Sequence, residues 1–118
     1  MSEFTIDWKR DPHLFFRIDS FIVPDAAREE FEAAMRRNME FLRTLAGFRG
    51  HVVFEKREGD SSYNLVTIAA WENREVVARA RDEVRAYYQR IGFDMAATLK
   101  RWGVTLVRAD YEAPARLQ

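Results

Sequence analysis

The chain contains no cysteine and only two histidines, and its 19 basic side chains are balanced by 19 acidic ones. Without cysteine there is no disulfide scaffold, zinc knuckle, iron–sulfur cluster or thiol nucleophile. A formal charge of zero argues against a general nucleic-acid binder, which carries a basic excess. No uninterrupted apolar run approaches the ~20 residues of a membrane span, and Met1–Arg10 lacks the basic-then-apolar order of a secretion signal. The five glycines form neither a phosphate loop nor a dinucleotide fingerprint. Ser20, Ser61 and Ser62 lack the setting of a nucleophile elbow. His51 and Glu55, four apart on a strand, stand roughly 13 Å from each other, too far to share a metal ion; His13 lies in different surroundings. The expectation is a cytoplasmic protein without metal or cofactor, and with no nucleic-acid or membrane partner.

What the chain does have is apolar and aromatic mass. Of 118 residues 47% are hydrophobic, including nine phenylalanines, four tyrosines and three tryptophans. That excludes a disordered chain and suits one domain. Residues 1–13 read as an arm interrupted by Pro12. Either it is a partly ordered terminus, or it packs Phe4 and Trp8 on a partner subunit. Leu14–Val23 alternates as a strand, with Leu14, Phe16, Ile18 and Ile22 on one face and Phe15, Arg17, Asp19, Phe21 and Val23 on the other. A helix follows Pro24, with Asp25 as N-cap, Glu29 and Glu30 at its positive end, and Phe31, Met35, Asn38, Leu42 and Leu45 at helical spacing. Gly47 is placed to stop it.

Phe48–Arg57 and Tyr63–Trp71 read as strands of an antiparallel hairpin around Gly59-Asp60-Ser61-Ser62. Asn73 can cap a second helix whose apolar stripe runs from Val76 to Ile91, with Gly92 breaking it. A short continuation from about Asp94 buries Met95, Leu99 and Trp102 and stops at Gly103; Val104–Tyr111 is the last strand and 112–118 a tail. The order β-α-β-β-α-β predicts an α+β, ferredoxin-like domain over 14–111: a four-stranded antiparallel sheet with both helices on one face.

Two helices cover only one face of such a sheet, and the other would ordinarily be polar. Here Phe15, Phe21 and Val23 share one face of the first strand. The third strand is apolar on both, with Leu65, Ala69 and Trp71 opposite Val66, Ile68 and Ala70. Exposing such a surface costs about 25 cal/mol per Å², so the expected remedy is a homodimer through the sheet face. The alternative is a monomer with an open sheet that binds a ligand.

Several side chains stand as candidates. Trp71 either plugs the end of the sheet or walls a flat aromatic ligand. His51 is either a hydrogen-bonded interface histidine or a base able to deprotonate a phenol near neutral pH. Arg17 and Asp19, about 7 Å apart on one strand face, either pair with each other or across a dimer, or act in catalysis, Arg17 by stabilising an oxyanion. Tyr63, Tyr87, Tyr88 and Trp102 either belong to the core or line a pocket between sheet and helices.

The segment FIVPDAAREEFEAAM, the helix end LAGF (Leu45–Phe48) and YNLVTIAAWENREVVARA together resemble the antibiotic biosynthesis monooxygenase (ABM) domain family over about residues 14–111. The resemblance implies a dimeric α+β barrel of two ferredoxin-like protomers. It also implies oxygenation of a phenol or quinol by O₂ without a cofactor, since an electron-rich phenolate can itself reduce O₂. Trp71 matches the family tryptophan. Thr67 stands where some phenol-oxygenating members have asparagine, and Ala69 where an acidic residue is common. The second-helix histidine has no counterpart near Ala80, Val84 or Arg85. The Asn, Trp and His set of the haem-cleaving branch is replaced by Asp19, Ala80 and Arg90. The resulting expectation is a monooxygenase of small aromatic or quinol substrates. His51, Arg17 and Asp19 would be catalytic, and Trp71, Phe21, Thr67, Tyr63, Tyr87 and Tyr88 would contact substrate. The alternative is a non-catalytic dimeric barrel that binds a small apolar ligand as sensor or carrier.

Overall fold

The structure is a computed structural model that describes Asp7 and residues 11–118; Phe4 and Trp8 of the expected arm lie outside the described residues. Four strands, β1 (Phe15–Ile22), β2 (Phe48–Glu55), β3 (Leu65–Trp71) and β4 (Thr105–Glu112), form one antiparallel sheet in the order β2-β3-β1-β4. Three α-helices complete it: α1 (Arg28–Leu42), α2 (Arg74–Ile91) and α3 (Met95–Trp102). This is the expected ferredoxin-like arrangement, with the second helical segment split in two.

Local signals account for most boundaries. The Asn73 side chain accepts from the Val76 N–H at 2.9 Å and starts α2; Asp94 accepts from the Ala97 N–H at 3.0 Å and starts α3. Both helices end on glycines with left-handed backbone, Gly92 (φ 66°) and Gly103 (φ 71°). Asp25 is not a cap. It opens a 3-10 turn, Asp25–Ala27, closed by Ala27 N–H to Pro24 C=O at 3.0 Å, and that turn runs straight into α1 with no side-chain cap. Having already taken helical geometry, Asp25 is not in the extended conformation a cap requires. Nor does Gly47 end α1, which stops at Leu42.

Gly47 instead sits in the link to β2 at φ 82°. A Cβ there would collide with the Val76 side chain, so only glycine lets β2 pass this close to the start of α2. The sheet hairpin is shorter than expected: β2 ends at Glu55 and β3 begins at Leu65, which leaves Tyr63 in the connection.

Strand register separates the two sheet faces. Phe15, Arg17, Asp19 and Phe21 of β1 share a face with Leu65, Thr67, Ala69 and Trp71 of β3 and with Leu106, Arg108 and Asp110 of β4. The helices lie over this face. Phe15, Ala69 and Trp71 pack with Leu45, Val76, Val77 and Ala80, while Phe21, Val23 and Leu65 pack with Phe31 and, less deeply, Leu99 and Trp102. Thus Phe15, Phe21 and Val23, expected to need an external cover, are covered by the chain's own helices. The opposite face carries Phe16, Ile18, Val66, Ile68, Ala70, Val107 and Tyr111, with Val52 and Phe54 of β2. Phe54 is 54% exposed, Tyr111 51% and Val107 49%.

Candidate functional site

Between the helices and the covered sheet face lies a chamber of about 250 Å³. Its floor follows from the register. Successive rows across β4, β1 and β3 read Leu106–Phe21–Leu65, Arg108–Asp19–Thr67, Asp110–Arg17–Ala69 and Glu112–Phe15–Trp71. A charged band therefore crosses the middle of an otherwise apolar floor. Its roof is the helical apolar stripe: Met35 and Leu42 of α1, Val77, Val84 and Tyr88 of α2, Leu99 and Trp102 of α3.

Two bidentate ion pairs hold the band. Arg17 donates from Nε and Nη2 to Asp110 at 2.9 and 3.2 Å, and Arg108 donates in the same way to Asp19 at 2.8 and 3.0 Å. Arg17 and Asp19, expected to pair with each other or across a dimer, each reach to β4 instead. Neighbours two apart on a strand are about 7 Å apart, whereas residues opposite each other on paired strands are about 5 Å apart. Asp19 is buried, at 9% exposure. Its hydrogen bonds raise the Arg108 guanidinium above its already high value, against the opposing effect of burial. The Arg17 hydrogen bonds likewise hold the Asp110 carboxyl below the usual carboxylate range, with Arg81 and Arg108 adding to the effect.

One end of the chamber is aromatic. Phe21 meets Phe31 edge to face at 5.0 Å between centroids, Phe31 meets Trp102 at 6.1 Å, and the Trp102 indole N–H donates to Glu30 at 3.0 Å. At the other end Trp71, 4% exposed, packs edge to face on Phe48 at 5.1 Å. On the roof, Tyr88 contacts Phe93 at 5.1 Å, and Arg37 lies 4.6 Å over the Phe93 ring. Burial pushes the Tyr88 phenol above its ordinary value, with Arg108 and Arg37 opposing, so it is a neutral hydrogen-bonding group near pH 7.

The expected site residues divide. Arg17, Asp19, Phe21, Thr67, Trp71 and Tyr88 all line the chamber. Tyr87 does not; it stacks on Phe41 at 4.0 Å and 5°. Tyr63 is in the β2–β3 connection. His51 lies on the covered face opposite Ala69, two strands from Arg17 and so about 10 Å away across the sheet. It is not part of the chamber wall. Its Nδ1 is buried without a hydrogen-bond partner, its ring lies 6.4 Å from Phe48, and burial, with Arg43 adding, holds the imidazole below 6.5. Sequence reasoning missed Arg81, Phe93 and Arg108, which also line the chamber. For Arg108 a signal existed: Arg17-Ile18-Asp19 and Arg108-Ala109-Asp110 are both Arg-x-Asp, and pairing them antiparallel makes two ion pairs at once.

A four-stranded antiparallel sheet with its helices on one face defines a ferredoxin-like α+β domain. The profile of the antibiotic biosynthesis monooxygenase family matches residues 15–90, and the chain belongs to that family. Solved structures share the fold. SnoaB, a cofactor-independent oxygenase from Streptomyces nogalater, is 24% identical with TM-score 0.61, over 86% of this chain and 93% of that one. A candidate monooxygenase from Shewanella loihica PV-4 is 17% identical with TM-score 0.66, over 86% and 94%. A dimeric ferredoxin-like protein from an uncultured marine organism is 8% identical with TM-score 0.64, over 85% and 94%. No curated protein matches the chain.

Proposed function

We propose that the protein is a cofactor-independent monooxygenase that oxidises a small phenol or quinol in the chamber with O₂. The observation that carries this reading is the charged band: a buried carboxylate and two guanidiniums cross the floor of a chamber lined mainly by apolar and aromatic groups. Family membership supports the reaction type. In this reading Trp71 and Phe21 flank the substrate ring, and Thr67 and Tyr88 offer hydroxyls to its oxygens. Asp19 takes the phenolic proton, and Arg108 and Arg17 hold the resulting oxyanion. The phenolate then reduces O₂. One oxygen atom bonds to a ring carbon, and the other leaves as water with the hydrogen displaced from that carbon and the proton that Asp19 gives back, giving a quinone. The enclosing roof keeps solvent from the intermediate.

The test is oxygen uptake with a panel of hydroquinones and naphthols under ¹⁸O₂. The expected product carries one labelled oxygen, with the rate lowered by about 100-fold or more in Asp19→Asn. His51→Gln is expected to leave the rate unchanged, because His51 does not touch the chamber. Unlabelled product, or equal rates in Asp19→Asn, overturns the proposal.

A second reading, a binder without turnover, is favoured by one observation: both arginines of the band that meet a carboxylate are bidentately satisfied within the protein. Ligand-induced thermal stabilisation without oxygen uptake would select it.

The exposed Phe54, Val107 and Tyr111 on the face without helices support a homodimer in which two sheets cover each other, as does the dimeric state of a protein of like fold. Soluble protein at micromolar concentration is expected to sediment at about twice its 13.9 kDa; a clean monomer removes the dimer.

A further inference from the structure

One positive charge of the band has no counterpart. Arg17, Arg81 and Arg108 reach the chamber wall, and Asp19 is the carboxylate on that wall among the described residues. Arg17 is neutralised by Asp110 and Arg108 by Asp19, while Arg81 has no ion-pair partner among the described residues. All three guanidiniums line the same chamber. With Arg17 and Arg108 each paired, Arg81, an exposed residue of α2 on the chamber wall, is left as the positive charge without an ion-pair partner among the described residues. Cations are disfavoured there, because Asp19 is already engaged on both oxygens. A dianion would carry one charge more than the site can match. Size narrows the choice further. A dry cavity of about 150 Å³ takes a benzene ring, so a chamber of about 250 Å³ accommodates two fused rings rather than a large polycycle.

We propose that the chamber selects a two-ring aromatic monoanion, with its rings between Trp71 and the roof of α1 and α2 and its single carboxylate, or an oxyanion of like geometry, seated on Arg81. This rests on the chamber being the ligand site, as proposed above. A guanidinium fork suits a carboxylate better than a point charge does.

The experiment is calorimetric titration of the full chain near pH 7.5 with 2-naphthoate and 2-naphthamide. The two share rings and size and differ in charge. Neither has a phenolic proton to lose, so binding is read apart from turnover. The expected result is naphthoate binding at least about tenfold tighter than naphthamide, with the margin shrinking as salt rises. Arg81→Gln is expected to erase the margin and leave naphthamide affinity in place, which also shows that the variant folds. Arg81→Lys is expected to retain part of the margin. Equal affinities in the unsubstituted protein, or a margin that survives Arg81→Gln, overturns anion selection while leaving the chamber as a ligand site. Failure of both probes to bind overturns the chamber reading and this inference with it.

Discussion

The two faces of the sheet invert the usual distribution of polarity. The face under the helices carries Arg17, Asp19, Arg108 and Asp110, whereas the face without helices carries Ile18, Ile68, Val107 and Phe54. A covered face built only for stability would be apolar throughout, since buried ion pairs add little over hydrophobic residues of the same size. An uncovered face built only for water would alternate to polar residues. The covered face therefore gives up packing for placed charges, while the face without helices buries Phe16 and Ala70 and leaves Phe54, Tyr111 and Val107 about half exposed.

Four perturbations test this contrast, in descending order of effect on stability. Trp71→Ala removes a buried side chain that is both core and chamber wall; a loss of about 3–5 kcal/mol is expected by denaturant titration, and a smaller loss would mean the chamber end is already loose. Asp19→Asn leaves Arg108 facing a neutral partner over a half-buried pair and is expected to cost about 1–3 kcal/mol, with a double-mutant cycle against Arg108→Gln recovering a coupling term.

Asp110→Asn breaks the Arg17 pair, whose carboxylate is more exposed than Asp19, a pair worth roughly 0.2–1 kcal/mol. Because the folded state lowers the Asp110 pKa, this contribution is present above the usual carboxylate range and lost as pH falls through the folded value. The unsubstituted protein should thus lose slightly more stability on acidification than Asp110→Asn does. Val107→Asp, on the open face, is expected to change protomer stability by no more than about 0.5 kcal/mol yet to halve the sedimenting mass. A dimer that persists would place the interface elsewhere.

His51 adds a pH dependence of the opposite chemical type. Its pKa is held below 6.5, so the unfolded chain takes up a proton first. Stability is expected to fall as pH drops below about 6.5 and to level off beneath the folded pKa. Thermal unfolding of His51→Gln should lack that segment of the profile.

Much of the fold was legible because its signals are local. Asn73 and Asp94 cap by reaching three residues along the chain, and Gly92 and Gly103 stop helices by their own backbone freedom. Asp25 misled because a cap depends on the backbone conformation of the residue, and Pro24 starts the helical turn one residue sooner. Strand alternation grouped Phe21 with Arg17 and Asp19 but not beneath the helices, and helical spacing could not tell Tyr88, on the chamber, from its neighbour Tyr87, which turns to Phe41. The charged band needed register, a relation between positions 89 to 93 residues apart in the chain. His51 had the right chemistry and the right sheet face, but β2 is the edge strand farthest from β4.

The elbow between α2 and α3 shapes one wall of the chamber independently of its floor. Its shape rests on Gly92 and on bonds that stay within the helices, from Gly92 N–H to Gln89 C=O, from Phe93 N–H to Tyr88 C=O and from Ala97 N–H to Asp94. Phe93 hangs from that elbow into the chamber. The volume of the chamber is thus set at a corner that the sheet does not build, and substitutions there reshape the cavity while the paired charges on the floor stay as they are.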